Sequence, residues 1–123
     1  MNITLGRVAP TIPVQDIEAA LRFYEGVLGL KKTFENGDPV GFVVLEKDRA
    51  EIHLTRVKDH RAGVHNVMHL MVSDARALHD LAAAAGARIV KGLRDQYGMR
   101  TFVVCDPDGN RIDVGEQLAP ASP

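Results

Sequence analysis

Residues 67–90, VMHLMVSDARALHDLAAAAGARIV, decide how this chain folds. Val67 to Val72 is an apolar, β-rich run. Ser73 or Asp74 then offers an N-cap oxygen, and Ala75 to Ala85 is helical in pattern, with Leu78 and Leu81 expected to face inward. Gly86 is a left-handed stop, and Arg88 to Val90 begins another strand.

Toward the C-terminus, Thr101 to Cys105 and Arg111 to Glu116 read as strands joined by the hairpin Asp106-Pro107-Asp108-Gly109-Asn110. Toward the N-terminus the same order recurs. Val8 to Val14 is a strand containing Pro10 and Pro13, which cannot donate ladder hydrogen bonds and so predict an edge or an irregularity. Asp16 caps a helix of about three turns carrying Ile17, Leu21, Tyr24 and Leu28, closed by Gly29. Leu30 to Phe34, Gly41 to Leu45 and Glu51 to Arg56 follow as strands, separated by Asn36-Gly37-Asp38-Pro39 and Glu46-Lys47-Asp48-Arg49.

Val14-Gln15-Asp16 matches Val72-Ser73-Asp74, and Glu51-Ile52-His53-Leu54 matches Arg111-Ile112-Asp113-Val114, at nearly equal spacing. The pattern predicts an α+β protein of two tandem βαβββ modules in one domain, 1–123. Module 1 covers about residues 7–57, a polar linker 58–66, module 2 covers 67–117, and 118–123 form a frayed tail.

The bulk numbers narrow the function. With 123 residues, 46% hydrophobic and 25% charged, the chain has the composition of a packed domain. A net charge of −1 with no run of like charges argues against nucleic acid and anionic membrane as partners. The single cysteine, Cys105, cannot form an intramolecular disulfide, and its apolar surroundings predict a buried packing residue, not a nucleophile. No secretory leader and no membrane-length apolar run is present, so a cytoplasmic location is expected.

Val14-Gln15-Asp16, Phe23-Tyr24 and Val27-Leu28-Gly29-Leu30 resemble the opening of vicinal oxygen chelate proteins, the glyoxalase, bleomycin-resistance and extradiol dioxygenase superfamily. Gly98-x-Arg100-x-Phe102 and Asp106-Pro107-Asp108-Gly109-Asn110 resemble the closing hairpin of that family. The resemblance covers nearly the whole chain. It implies that each module is a curled mixed sheet with one main helix, that a cavity lies between the halves, and that the protein is a homodimer.

Metal-dependent members place ligands on the first and last strand of each module. The matching positions here are Ala9, Val67, His53 and Asp113, and only the last two carry donor atoms. This places the chain nearest the metal-free, bleomycin-resistance-like branch, with no cofactor and no assigned catalytic residue. The alternative is a divalent-metal-dependent lyase or dioxygenase of glyoxalase type with a shifted ligand set, His53, His69 and Asp113, since strand alternation puts His69 on the face of Val67.

In the metal-free reading the chain sequesters a small molecule, an antibiotic or a metabolite. The candidate ligand-binding residues are then His53, Asp113, Tyr97, His69, Glu51 and Arg111. Glu51 shares a face with His53, Arg111 shares one with Asp113, and Tyr97 precedes Gly98 where the family often carries a stacking aromatic. Met68, Met71 and Met99 are candidates for an adaptable apolar lining. The near-neutral charge and the 5% aromatic content, with no tryptophan, argue against bleomycin itself as the ligand.

Overall fold

The computed structural model describes residues 2–119. Module 1 runs β1 (Thr11–Val14), α1 (Ile17–Tyr24), β2 (Lys31–Asn36), β3 (Phe42–Lys47) and β4 (Ala50–Arg56). Module 2 runs β5 (Asn66–Met71), α2 (Ala75–Ala84), β6 (Ile89–Gln96), β7 (Met99–Cys105) and β8 (Arg111–Gln117). The strand orders are β1-β4-β3-β2 and β5-β8-β7-β6. In each sheet the first strand pairs parallel with the last, and the other pairings are antiparallel. These are two copies of one βαβββ plan, curled but not closed, as the repeat predicts.

Each sheet buries one face. Ile12, Val14, Val43, Leu45, Ile52 and Leu54 alternate along the first sheet and join Ile17, Ala20, Phe23 and Tyr24 of α1. Phe102, Val104, Ile112 and Val114 do the same in the second sheet, against Ala75 and Ala82 of α2. Both sets belong to one core. Each alternate residue on a strand is left on the opposite, open face.

The helix starts follow their caps. Asp16 Oδ1 accepts from the Glu18 and Ala19 amides at 2.9 and 3.3 Å, and Asp74, not Ser73, accepts from the Ala77 amide at 3.0 Å. Regular helix in α1 ends at Tyr24, short of the expected three turns, because Gly26 weakens the last turn before Gly29 stops it at φ +78°. Leu81 does not face inward: it is 57% exposed. The buried line of α2 runs through Ala75, Leu78 and Ala82, and about 3.6 residues per turn carries Leu81 round to solvent.

Two strand boundaries also differ from the reading. β1 starts at Thr11, and as an edge strand it tolerates Pro13. β6 extends from Ile89 to Gln96, well past Val90, and its polar composition is that of an exposed edge. The expected tail, 118–123, lies outside the described residues from residue 120 onward.

A polar clasp joins the modules. The Tyr24 hydroxyl donates to Asp106 Oδ2 at 2.8 Å, and the Asp108 and Asn110 amides donate to Asp106 Oδ1 at 2.9 Å each. Asn110 Nδ2 donates to the Pro13 carbonyl and to Asp106 Oδ2, both at 2.9 Å. Both amide hydrogens of Asn110 are therefore committed, so His60 Nε2–H must donate to Asn110 Oδ1, at 2.8 Å. Burial, reinforced by Asp106, holds the Tyr24 phenol far above its usual range, so it stays a donor. The Asp-Pro-Asp-Gly-Asn hairpin is thus the part of module 2 that locks onto β1 and α1 of module 1.

Candidate functional site on the open sheet faces

Five of the six candidate residues, His53, Glu51, His69, Asp113 and Arg111, fall on the open faces. In the first sheet, His53 on β4 is half-buried and its Nε2–H donates to Glu51 Oε2 at 2.7 Å. The other Glu51 oxygen accepts from Arg7 Nε at 2.8 Å. The hydrogen bond from His53, followed by that from Arg7, holds the Glu51 carboxyl below its usual range, so it is an anion at neutral pH. His53 Nδ1 remains free to meet a ligand.

Beside this triad runs an aromatic row. Phe42 lies edge-on to His53 with ring centroids 5.4 Å apart, and Phe34 lies edge-on to Phe42 at 6.3 Å. Phe34 is 54% exposed. Sequence reasoning missed Phe34 and Phe42, because the β2–β3–β4 register needed to find them is set by hairpin geometry, and Arg7, because it reaches Glu51 from irregular chain before β1. With that register, Val44 opposes both His53 and Phe34, and Phe42 shares its face.

In the second sheet, His69 on β5 and Asp113 on β8 are direct register partners, and His69 Nδ1–H donates to Asp113 Oδ2 at 2.6 Å. The ring is thereby held with Nε2 as its free nitrogen. The two modules solve the same position differently: His53 takes its carboxylate from its own strand, Asp113 takes its imidazole from the neighbouring strand. No hydrogen bond joins His53 to Asp113. Arg111 opens β8 opposite Asn66 and Cys105. Met71 and Met99 lie over Gly115 on the open face, whereas Met68 packs against the core.

Tyr97 and Gly98 form the two-residue turn between β6 and β7, with φ of +52° and +73°. Tyr97 is 95% exposed at the hairpin tip. A tyrosine held in the left-handed region and projecting into solvent is costly for folding alone. Cys105 is buried beside α1, in the seam between modules.

Two surface clefts, of about 540 and 600 Å3, lie elsewhere, one between α1 and β2–β3 and one at the module seam. Neither is lined by any of the six candidate residues. On the open faces Phe34 and Met71 stand 54% and 56% exposed in a single chain.

The profile of the Glyoxalase/Bleomycin resistance protein/Dioxygenase superfamily matches residues 4–114, and the chain belongs to that superfamily. Among solved structures, a member of the same superfamily from Sphaerobacter thermophilus is 26% identical, with a TM-score of 0.76 over 91% of this chain and 98% of that one. A glyoxalase family protein from Bacillus anthracis is 19% identical, with a TM-score of 0.78 over 95% of this chain and 98% of that one. The fosfomycin resistance protein FosX of Listeria monocytogenes is 11% identical, with a TM-score of 0.76 over 93% and 94% of the two chains. No curated protein sequence matches the chain. No helix among the described residues is long and apolar enough to cross a membrane.

The superfamily implies a divalent metal in its enzymes, and the donor set of one chain does not fit that ion. Among the described residues no three of His, Cys, Asp and Glu lie close enough together to hold one. The donors come as two separate pairs, His53 with Glu51 and His69 with Asp113.

Proposed function

We infer that this protein binds a small molecule on its open sheet faces, holds it without a divalent metal, and sequesters it, as an antibiotic-binding or metabolite-binding member of the superfamily. The observation that carries this reading is the make-up of the faces. Each has one oriented imidazole with a free nitrogen, one carboxylate behind it and apolar side chains around it, exposed Phe34 with half-buried Phe42 on one sheet and exposed Met71 on the other. Such a mixture of a few fixed polar groups on an apolar surface suits a small-molecule site. His53, Glu51, His69, Asp113 and Arg111 supply the polar contacts, and Tyr97 supplies a stacking ring from the hairpin tip.

The reading includes a homodimer in the cytoplasm. Phe34, Met71 and Tyr97 are 54%, 56% and 95% exposed in the single chain, and a second copy laid over these faces would turn open surfaces into an enclosed site. The divalent-metal lyase or dioxygenase remains the second reading. It is favoured by the free Nδ1 of His53 and the free Nε2 of His69, which a second copy would have to bring together with Asp113.

The deciding experiment is elemental analysis of untagged protein beside His53→Ala, followed by ligand screening by thermal shift. The sequestration reading expects no stoichiometric divalent metal and a ligand-dependent rise in melting temperature that His53→Ala and Tyr97→Ala reduce. About one divalent ion per chain, lost in His53→Ala, would overturn it in favour of the metal enzyme.

A further inference from the structure

We propose that the open face of the second sheet is also a soft-metal site, where His69 Nε2 and the thioether sulfurs of Met71 and Met99 hold a monovalent Cu(I) or Ag(I) ion. This site shares His69 with the divalent-metal reading but takes two thioethers in place of His53 and Asp113, and it rests on the geometry of one chain.

The two thioethers converge on Gly115. A Cβ added there would stand 2.7 Å from Met99 Cε, 3.5 Å from Met71 Sδ and 3.8 Å from Met71 Cε. The missing side chain is what lets a methionine from β5 and a methionine from β7 close over β8 from both sides. Met71 is the register partner of Gly115, and Thr101, two residues beyond Met99 on the same face, is its partner from the other side.

His69 lies two residues before Met71 on β5, so both side chains leave the same face with Cα atoms about 7 Å apart. That separation is within reach of a shared ion for two long side chains. The imidazole is already prepared as a ligand. Asp113 Oδ2 accepts its Nδ1–H at 2.6 Å, which fixes the tautomer and leaves the Nε2 lone pair for the ion, the carboxylate–histidine–metal pattern of built sites. Asp113 also places a negative charge behind a cation otherwise held by neutral donors.

Donor softness selects the ion. Two thioethers and an imidazole are poor ligands for Mg2+ or Ca2+ and good ones for Cu(I). Two of the three donors are accessible, Met71 at 56% exposed and the His69 side chain at 74%, and Met99 is half-buried beside them. Met68, by contrast, packs against the core cluster, which neither Met71 nor Met99 joins.

The probe is Ag(I), a redox-inert stand-in for Cu(I), titrated into the full chain carrying 13C-labelled methionine methyl groups. The expected result is that the Met71 and Met99 methyl signals shift together and saturate near one equivalent, while Met68 stays in place. The double variant Met71→Leu/Met99→Leu, close to volume-conserving, should lose this binding with its amide spectrum otherwise retained. Asp113→Asn should weaken Ag(I) by roughly 10- to 100-fold through loss of the orienting carboxylate. The proposal is overturned if the two methyl signals do not move, if Asp113→Asn binds like the wild type, or if the double variant still binds one equivalent, which would place the ion at Cys105.

Discussion

Replacing Tyr24 with phenylalanine removes one oxygen and tests the clasp that sets the modules against each other. The side chain is fully buried, and its hydroxyl donates to Asp106 Oδ2 at 2.8 Å. A hydrogen bond to a charged acceptor contributes about 1.5–3 kcal/mol, and Asp106 keeps its other three donors, so a loss of about 2 kcal/mol is expected. For a chain of this size that is a fall of roughly 6–8 °C in melting temperature. The pH dependence carries a second signature. The folded phenol is raised far above the unfolded value of about 10, so its contribution is complete below that value and declines as pH rises past it, by about 1.4 kcal/mol per unit. Urea unfolding of wild type and Tyr24→Phe, at neutral pH and at about pH 11, reads both quantities, since every other group cancels in the difference. The stability gap should narrow by more than 1 kcal/mol, roughly, at the higher pH. A gap below about 0.5 kcal/mol at neutral pH, or one that does not narrow, refutes the reasoning.

Asn110→Ala strips donors from Pro13 O and Asp106 and an acceptor from His60, and should cost about 3 kcal/mol or more in urea unfolding. Tyr97→Gly relieves a left-handed tyrosine and should raise stability by up to about 1 kcal/mol, while reducing the thermal shift given by any ligand that stacks on the ring. His53→Ala removes the main cause of the lowered Glu51 pKa, so a 13C titration should show that carboxyl moving up toward its usual range. The sign follows: the wild-type contribution is present above the ordinary glutamate range and is lost as pH falls through the lowered value, so the variant should show the smaller acid loss. An unchanged Glu51 titration would place the control in Arg7 alone.

The fold was legible because two independent signals repeat. The capping aspartates Asp16 and Asp74 mark where strand periodicity gives way to helical periodicity, and each must be met again in a copy built on the same plan. Errors fell where a local rule lacked a second witness. Leu81 sat at a plausible i,i+3 distance from Leu78, but a stripe of alanines defines the buried side of α2, and alanine is a weak marker of burial. The sequence shows β6 only as far as Val90, because Lys91 to Gln96 contacts a neighbour on one side only and so has no clean apolar alternation. Its turn, Tyr97-Gly98, lacks the usual asparagine or aspartate at the first left-handed position.

The site was legible by face and not by partner. Alternation alone assigns His53 and Glu51 to one open face, and Asp113 and Arg111 to the other, since parity along a strand is a property of the local chain. Which carboxylate reaches which imidazole depends on the register between strands distant in sequence, and there the modules diverge. Thr11 stands opposite His53 where His69 stands opposite Asp113, so the first module had to find its acidic partner along its own strand, at Glu51. The repeat therefore keeps the position while exchanging the chemistry, placing an imidazole, His53, on the last strand of one module and a carboxylate, Asp113, on the last strand of the other. The two modules therefore leave ring nitrogens of opposite position without a carboxylate partner, Nδ1 on His53 and Nε2 on His69.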